Sequence, residues 1–264
     1  MKFNTLKAAV IGALMVPLTA IHAEEAAPAE DSGFSFSANV GLFSDYIWRG
    51  QSQTQRQPAL QGGFDVEHSS GFYAGVWASN VEWTTAGSTS AMNENSVEVD
   101  VYAGFGFDVG PVYADIGVLQ YLYPGHDNPS AATKAETDAT EVYAGLGHDF
   151  GFVDISGYAY YLVSTDGWNF AEADGTVYYS LDGSIPVGDT PLTVDLHVGY
   201  FDFDGTGNSA YDYTDWKVNV DYAFNDNYSM GAFYTDTDQG EAQSKYNNEN
   251  CFDETFGVYL SASF

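Results

Sequence analysis

The stretch "SVEVDVYAGFGF", residues 96–107, alternates without a break. Val97, Val99, Val101, Ala103, Phe105 and Phe107 fall on one side, and Glu98, Asp100, Tyr102, Gly104 and Gly106 on the other. Successive side chains of an extended chain point to opposite faces, so this reads as a β-strand with one apolar face. Its other face carries two carboxylates in mid-strand. That is an unusual place for charge in a soluble sandwich, and it prompts the question of what each face meets.

The pattern repeats along the chain. It recurs at 34–42, 60–68, 71–83, 112–123, 140–149, 153–164, 176–184, 192–201, 216–224, 228–236 and 256–264, giving twelve strands in all. Each is close to the roughly nine to eleven tilted residues that cross a bilayer as a strand. Short turns at 69–71, 108–111, 150–152, 185–191 and 225–227 alternate with long polar loops at 49–57, 84–95, 124–139, 165–175, 204–215 and 237–250. An even strand count with phased loop lengths predicts an all-β, transmembrane, antiparallel up-and-down barrel with short periplasmic turns and long extracellular loops. A soluble β-sandwich also alternates, but it requires neither the phasing nor the mid-strand carboxylates. "VYAGFGFDVG" (101–110) and "VYAGLGHDFG" (142–151) echo each other as repeated hairpin chemistry. The last strand, "FGVYLSASF", would pair with the strand starting near Phe34 to remove both edges.

Composition agrees. Lys2 and Lys7 precede the apolar run 8–21 and a small residue at Ala23, the layout of a cleaved signal peptide over 1–23. Residues 24–33 read as a flexible tail, and 34–264 as the barrel. After cleavage Arg49, Arg56, Lys134, Lys217 and Lys245 face all 37 acidic residues. Such acidity excludes nucleic acid, whose binding depends on neutralising phosphates. The 16% aromatic content argues against disorder despite the charge. A single cysteine, Cys251, allows no internal disulfide.

Strand parity sorts the polar face into a lumen set: Asp65, Glu67, Glu98, Asp100, Asp115, Glu141, Asp154, Asp182, Asp195 and Asp221. Only Arg49 and Lys217 share that parity as cations, so most of these carboxylates are expected to lack a fixed partner. Charges cannot be buried dry at a cost of several kcal/mol each, so the lumen should hold water, cations or shared protons. Rings of Asp and Glu favour cations in a pore. Trp48, Trp83 and Trp216 are expected in the interfacial aromatic belt. Among the mature histidines, His68 borders a turn, His126 lies in a loop and His148 has lipid parity. His197 alone faces the lumen, two residues from Asp195, too thin a signal for a hydrolase. No catalytic residue, metal site or cofactor is expected, and the pattern carries no signal for oligomeric state.

The segment "SDYIWRGQSQTQRQPALQGGFDVEHSSGFYAGVWASN" (44–80) resembles the bacterial Gcw_chp family, also called TorF-type porins. The resemblance rests on Ser44-Asp45-Tyr46, Arg49-Gly50, Pro58-Ala59-Leu60-Gln61-Gly62 and the following "GFYAGVWASN". It implies outer-membrane location in a Gram-negative bacterium and pore function, without naming a solute. Asp45 and Arg49 read as a lumen-mouth pair near the outer end of the first strand, expected either to pair with neighbours across the first hairpin and hold the first loop over the mouth, or to serve folding and strand closure. Phe264, on the lipid parity, resembles the C-terminal signal read by the barrel assembly machinery. The expected partners are outer-membrane lipid, lipopolysaccharide, that machinery, and small solutes or cations. The leading expectation is a passive diffusion channel for small polar or cationic solutes. The alternative is a closed barrel acting through acidic loops, in adhesion or divalent-cation binding.

Overall fold

The computed structural model describes residues 33–82, 96–124, 137–165, 167–168, 170, 172–239 and 251–264. The expected signal peptide, nearly all of the tail, Trp83 and His126 lie outside the described residues.

Twelve strands close into one antiparallel barrel. In chain order they are β1 (Phe34–Phe43), β4 (Ala59–His68), β5 (Phe72–Asn80), β6 (Val97–Val109), β7 (Val112–Leu122), β8 (Ala139–Asp149) and β9 (Asp154–Leu162). They continue with β10 (Val177–Pro186), β11 (Leu192–Asp202), β12 (Tyr213–Ala223), β13 (Tyr228–Thr237) and β14 (Thr255–Ser263). Two short strands, β2 (Ile47–Trp48) and β3 (Gln51–Ser52), form a separate hairpin between β1 and β4. Every strand pairs with its barrel neighbour in sequence, and β1 closes the ring against β14, with Val40 opposite Ala262 and Leu42 opposite Leu260. Phe264 extends the seam by exchanging two backbone hydrogen bonds with Ala38. Closure leaves no sheet edge, the condition for a sheet in hydrocarbon.

The alternation resolves as expected. Along β6, Val97, Val101, Phe105 and Phe107 are exposed, while Glu98, Asp100 and Tyr102 are buried. Leu60, Phe64, Val76, Ile116, Val118, Val142, Leu181, Val218, Val258 and Leu260 continue the apolar outer wall. The barrel is thus greasy outside and polar-aromatic inside, the inverse of a soluble domain. Most strand ends fall within two residues of the expected bounds. The exceptions are β5, which ends at Asn80 rather than 83, and β12, which begins at Tyr213 rather than 216 and so brings Asp215 onto the lumen face with Lys217, Asn219 and Asp221.

Inside, rings and glycines are matched across the strands. Tyr102 faces Gly75, Tyr73 faces Gly104, Tyr143 faces Gly117 and Tyr158 faces Gly145 in register. At each of these glycines the partner ring occupies the space that a Cβ would take, within 2.5 Å. The rings therefore lie along the wall instead of projecting across the bore. At Gly117 an added Cβ would also meet the Ala103 carbonyl oxygen at 2.7 Å, so rotation of the ring alone gives no relief. Gly117→Ala is expected to destabilise the barrel by about 1–3 kcal/mol, the usual range for overpacking. Urea unfolding of the purified protein in detergent, followed by circular dichroism, would measure this.

Candidate functional site: an arginine held inside the barrel

The hairpin formed by β2 and β3 does not cover the mouth. It folds into the long-loop half of the lumen and presents Arg49 at its tip. Ile47 pairs with Ser52 and Trp48 with Gln51, leaving Arg49 and Gly50 as the two turn residues, with φ of 47° and 77°. Positive φ at both positions is the turn that suits a two-residue hairpin. Glycine adopts it freely; an arginine there is strained by about 1–3 kcal/mol and stays only if its surroundings hold it.

The surroundings are extensive. The Arg49 Nη1 donates to Glu141 Oε1 at 2.8 Å, and Nη2 donates to Oε2 at 2.7 Å. This is a bidentate pair in which both side chains are 1% exposed. Tyr121 Oη donates to the same carboxylate at 3.1 Å. Aromatic rings enclose the guanidinium carbon: Tyr178 at 4.2 Å, Trp48 at 4.6 Å, Phe201 at 4.9 Å, Tyr160 at 5.1 Å and Trp168 at 5.7 Å. The tip is tied down by Tyr213 Oη, which accepts from Gln51 Nε2 and donates to the Arg49 carbonyl. Burial works against the arginine's charge, but the Glu141 carboxylate more than offsets it and holds the guanidinium pKa above its ordinary value.

Three expectations need correction here. Trp48 is a buried lumen residue rather than part of the interfacial belt, because it rides on the inserted hairpin; Trp216 is exposed on the outer wall as expected. Asp45 and Arg49 lie beyond the end of β1 and do not pair across the neighbouring hairpin. Asp45 instead accepts from Ser52 Oγ at 2.7 Å and Thr54 Oγ1 at 2.9 Å, closing the loop on itself. Burial raises the pKa of its carboxyl above the ordinary value, although these two hydroxyls oppose the shift. Most of the lumen carboxylates do have fixed partners, and tyrosine hydroxyls supply many of them.

Glu98 accepts from Tyr46 at 2.7 Å. Asp65 accepts from Tyr102, Asp115 from Tyr73 at 2.8 Å and Tyr158 at 3.3 Å, and Asp221 from Tyr259 at 2.8 Å. Asp195 takes Ser184 and Asn219. Asp182 and Asp215 flank His197, at 2.6 Å from Nδ1 and 3.0 Å from Nε2. Asp195 is therefore not the partner of His197, and with both ring nitrogens engaged neither is free to act as a base. Glu67 is half-buried near the short-turn end, and Asp154 is exposed at the start of β9. Asp100 differs from the rest: it is 1% exposed and its Oδ1 has no hydrogen-bond partner.

The structure thus brings Glu98, Asp100 and Glu141 together at the long-loop end, and Asp65 and Asp115 together with tyrosines nearer the short turns. The sequence reading missed Asp215 and the cage rings Tyr160, Trp168, Tyr178 and Phe201. Three of these four rings were legible as parity. Tyr178 shares a face with Asp182, Phe201 with Asp195, and Tyr160 with Asp154. Trp168 lies in a loop where parity carries no information.

Residues 26–264 match the profile of a family described as "Bacterial protein of unknown function (Gcw_chp)". The chain belongs to this family. No curated protein matches it in sequence. Among solved structures, the Gcw_chp barrel is similar to the KdgM porin, with 6% identity, 86% of this chain and 98% of that chain covered, and a TM-score of 0.54. The same porin in complex with disordered oligogalacturonate gives the same values. A protein from a study of in-meso crystallization of membrane proteins is 12% identical, with 87% and 83% covered and a TM-score of 0.50. These likenesses show a shared porin-type fold. A Gcw_chp barrel with a closed backbone and an apolar outer wall is built for the bacterial outer membrane.

Removing one member of a buried ion pair strands the other. Arg49→Met is expected to cost about 3–5 kcal/mol, and Arg49→Met/Glu141→Gln to recover part of that loss. Equilibrium unfolding of the single and double variants in detergent micelles would measure both.

Proposed function

We propose that this Gcw_chp protein is a narrow outer-membrane porin that passes small polar or cationic solutes by diffusion. The supporting observation is the charge of the interior. Among the described residues the lumen carries ten expected carboxylates and Asp215, against Arg49, His197 and Lys217 as nitrogen bases. With Glu141 taken by Arg49, and Asp182 and Asp215 by His197, Asp65, Glu98, Asp115, Asp195 and Asp221 accept from hydroxyl and amide donors. Their field attracts cations and repels anions. KdgM is described with oligogalacturonate, a polyanion; the acidic lining here disfavours a solute of that kind. In this reading residues 1–23 are removed on export, and the long loops face outward.

A second reading has its own support. The caged Arg49 fills the long-loop half of the lumen with side chains, as in a closed barrel that acts at the cell surface.

Planar-bilayer recordings separate the two. A small conductance is expected from the wild-type protein, with a reversal potential in a salt gradient showing cation preference. Arg49→Ala, which frees the hairpin tip, should raise the conductance several-fold, by analogy with removing a constriction from a pore. Silence from both proteins would favour the closed barrel, and anion preference would overturn the assigned selectivity.

A further inference from the structure

The cage around Arg49 is built mainly by the barrel wall, not by the hairpin that fills it. Glu141 comes from β8, Tyr160 from β9, Tyr178 from β10 and Phe201 from β11, with Trp168 from the long loop between β9 and β10. Tyr121 on β7 braces the Glu141 carboxylate. Asp100 on β6 stands in register with Tyr121. Its Oδ1 is buried without a donor. The wall therefore offers two carboxylates and several ring faces, and Arg49 satisfies only one of those carboxylates through hydrogen bonds.

The occupant, by contrast, sits on a loop hairpin and not on the barrel wall. Arg49 is at the tip of a two-residue turn with a strained φ. Much of the loop's anchoring to the rest of the chain is polar: Tyr46 Oη to Glu98, Gln51 and the Arg49 carbonyl to Tyr213, Ser52 N–H to the Cys251 carbonyl, Gln55 to the Glu82 carbonyl, and a half-exposed Arg56–Asp253 pair at 3.6 Å.

We propose that this cage is a recognition site for guanidinium-bearing solutes, kept occupied by the chain's own arginine until such a solute displaces it. The inference rests on the porin reading for how the solute arrives. The chemistry is selective for the group. A guanidinium is planar, weakly hydrated, stacks on aromatic faces and offers a donor fork that matches a carboxylate. A primary ammonium gives up a stronger hydration shell and can meet Glu141 only as a point charge. Tethering Arg49 beside the site makes it a competitor at high local concentration, so affinity in the wild type is reduced by the fraction of time the cage is empty.

The test uses the full protein folded in detergent micelles, with tryptophan fluorescence reporting on Trp48 and Trp168. Methylguanidinium chloride is titrated against methylammonium chloride at matched ionic strength. Arg49→Ala is expected to show a saturable change with methylguanidinium, at least about tenfold tighter than wild type because the tethered competitor is gone. It should show none with methylammonium, and Arg49→Ala/Glu141→Gln should lose the response. Equal responses to both salts, no saturation in a folded Arg49→Ala protein, or a response surviving in the double variant would each overturn the proposal. If Arg49→Ala does not fold alone, refolding decides. Recovery with methylguanidinium but not methylammonium supports the site, and equal recovery or none overturns it. A blocked Gly-Arg-Gly tripeptide distinguishes the source of the group. Its binding would assign the cage to arginine side chains, whereas methylguanidinium binding alone assigns it to free small solutes; either agrees with the proposal. Because binding is read without a membrane, a barrel that binds but carries no current would overturn the channel reading alone.

Discussion

No backbone N–H or C=O can go unpaired in hydrocarbon, and the rest of this structure follows from that constraint. A sheet satisfies it only by closing, which here means pairing β1 with β14 through the Ala38–Phe264 exchange. Closure gives the sheet one face toward lipid and one toward a shared interior. Residues that lipid will not accept then have only one place to go. The mid-strand carboxylates of β4, β6, β7, β8, β10, β11 and β12 point inward because their neighbours in sequence must point outward.

An interior receiving that much negative charge has to solvate it. Two solutions coexist along the bore. Toward the short turns, tyrosines lie flat over cross-strand glycines and turn their hydroxyls to Asp65 and Asp115, as Tyr259 does to Asp221. A charged acceptor roughly doubles the strength of such a hydrogen bond, and the rings stay against the wall. Toward the long loops, a guanidinium does the same work for Glu141, at the cost of a strained turn and a desolvated charge. Buried ion pairs seldom gain much net stability, because desolvation cancels most of their attraction. The ring faces around Arg49 add cation–π attraction that is strongest where water is excluded.

The inserted hairpin changes what an acidic lumen can do. A bore lined only with carboxylates would hold cations indiscriminately. On the proposed reading, a cage that fits a guanidinium, with the occupant supplied from a loop, would tie access through the pore to whether Arg49 stays in place. His197 extends the same wiring, since Tyr178 both packs on Arg49 and shares Asp215 with the imidazole.

The twelve strands, their parity, the phased loops and the lipid-facing wall were all readable from the alternation, because a period of two survives without tertiary knowledge. The acidic lumen set came from the same parity. Asp215 was lost only because the loop before β12 hid where the strand begins. Where Arg49 goes could not be read in this way. Nothing local in "DYIWRGQSQ" says that the loop turns inward, or that an arginine beyond the end of β1 meets a glutamate 92 residues later in the chain. The partners of the carboxylates were hidden for the same reason. Parity determines which face a side chain takes, but its neighbours across the bore depend on strand register, barrel closure and the path of the loops, which exist only in three dimensions.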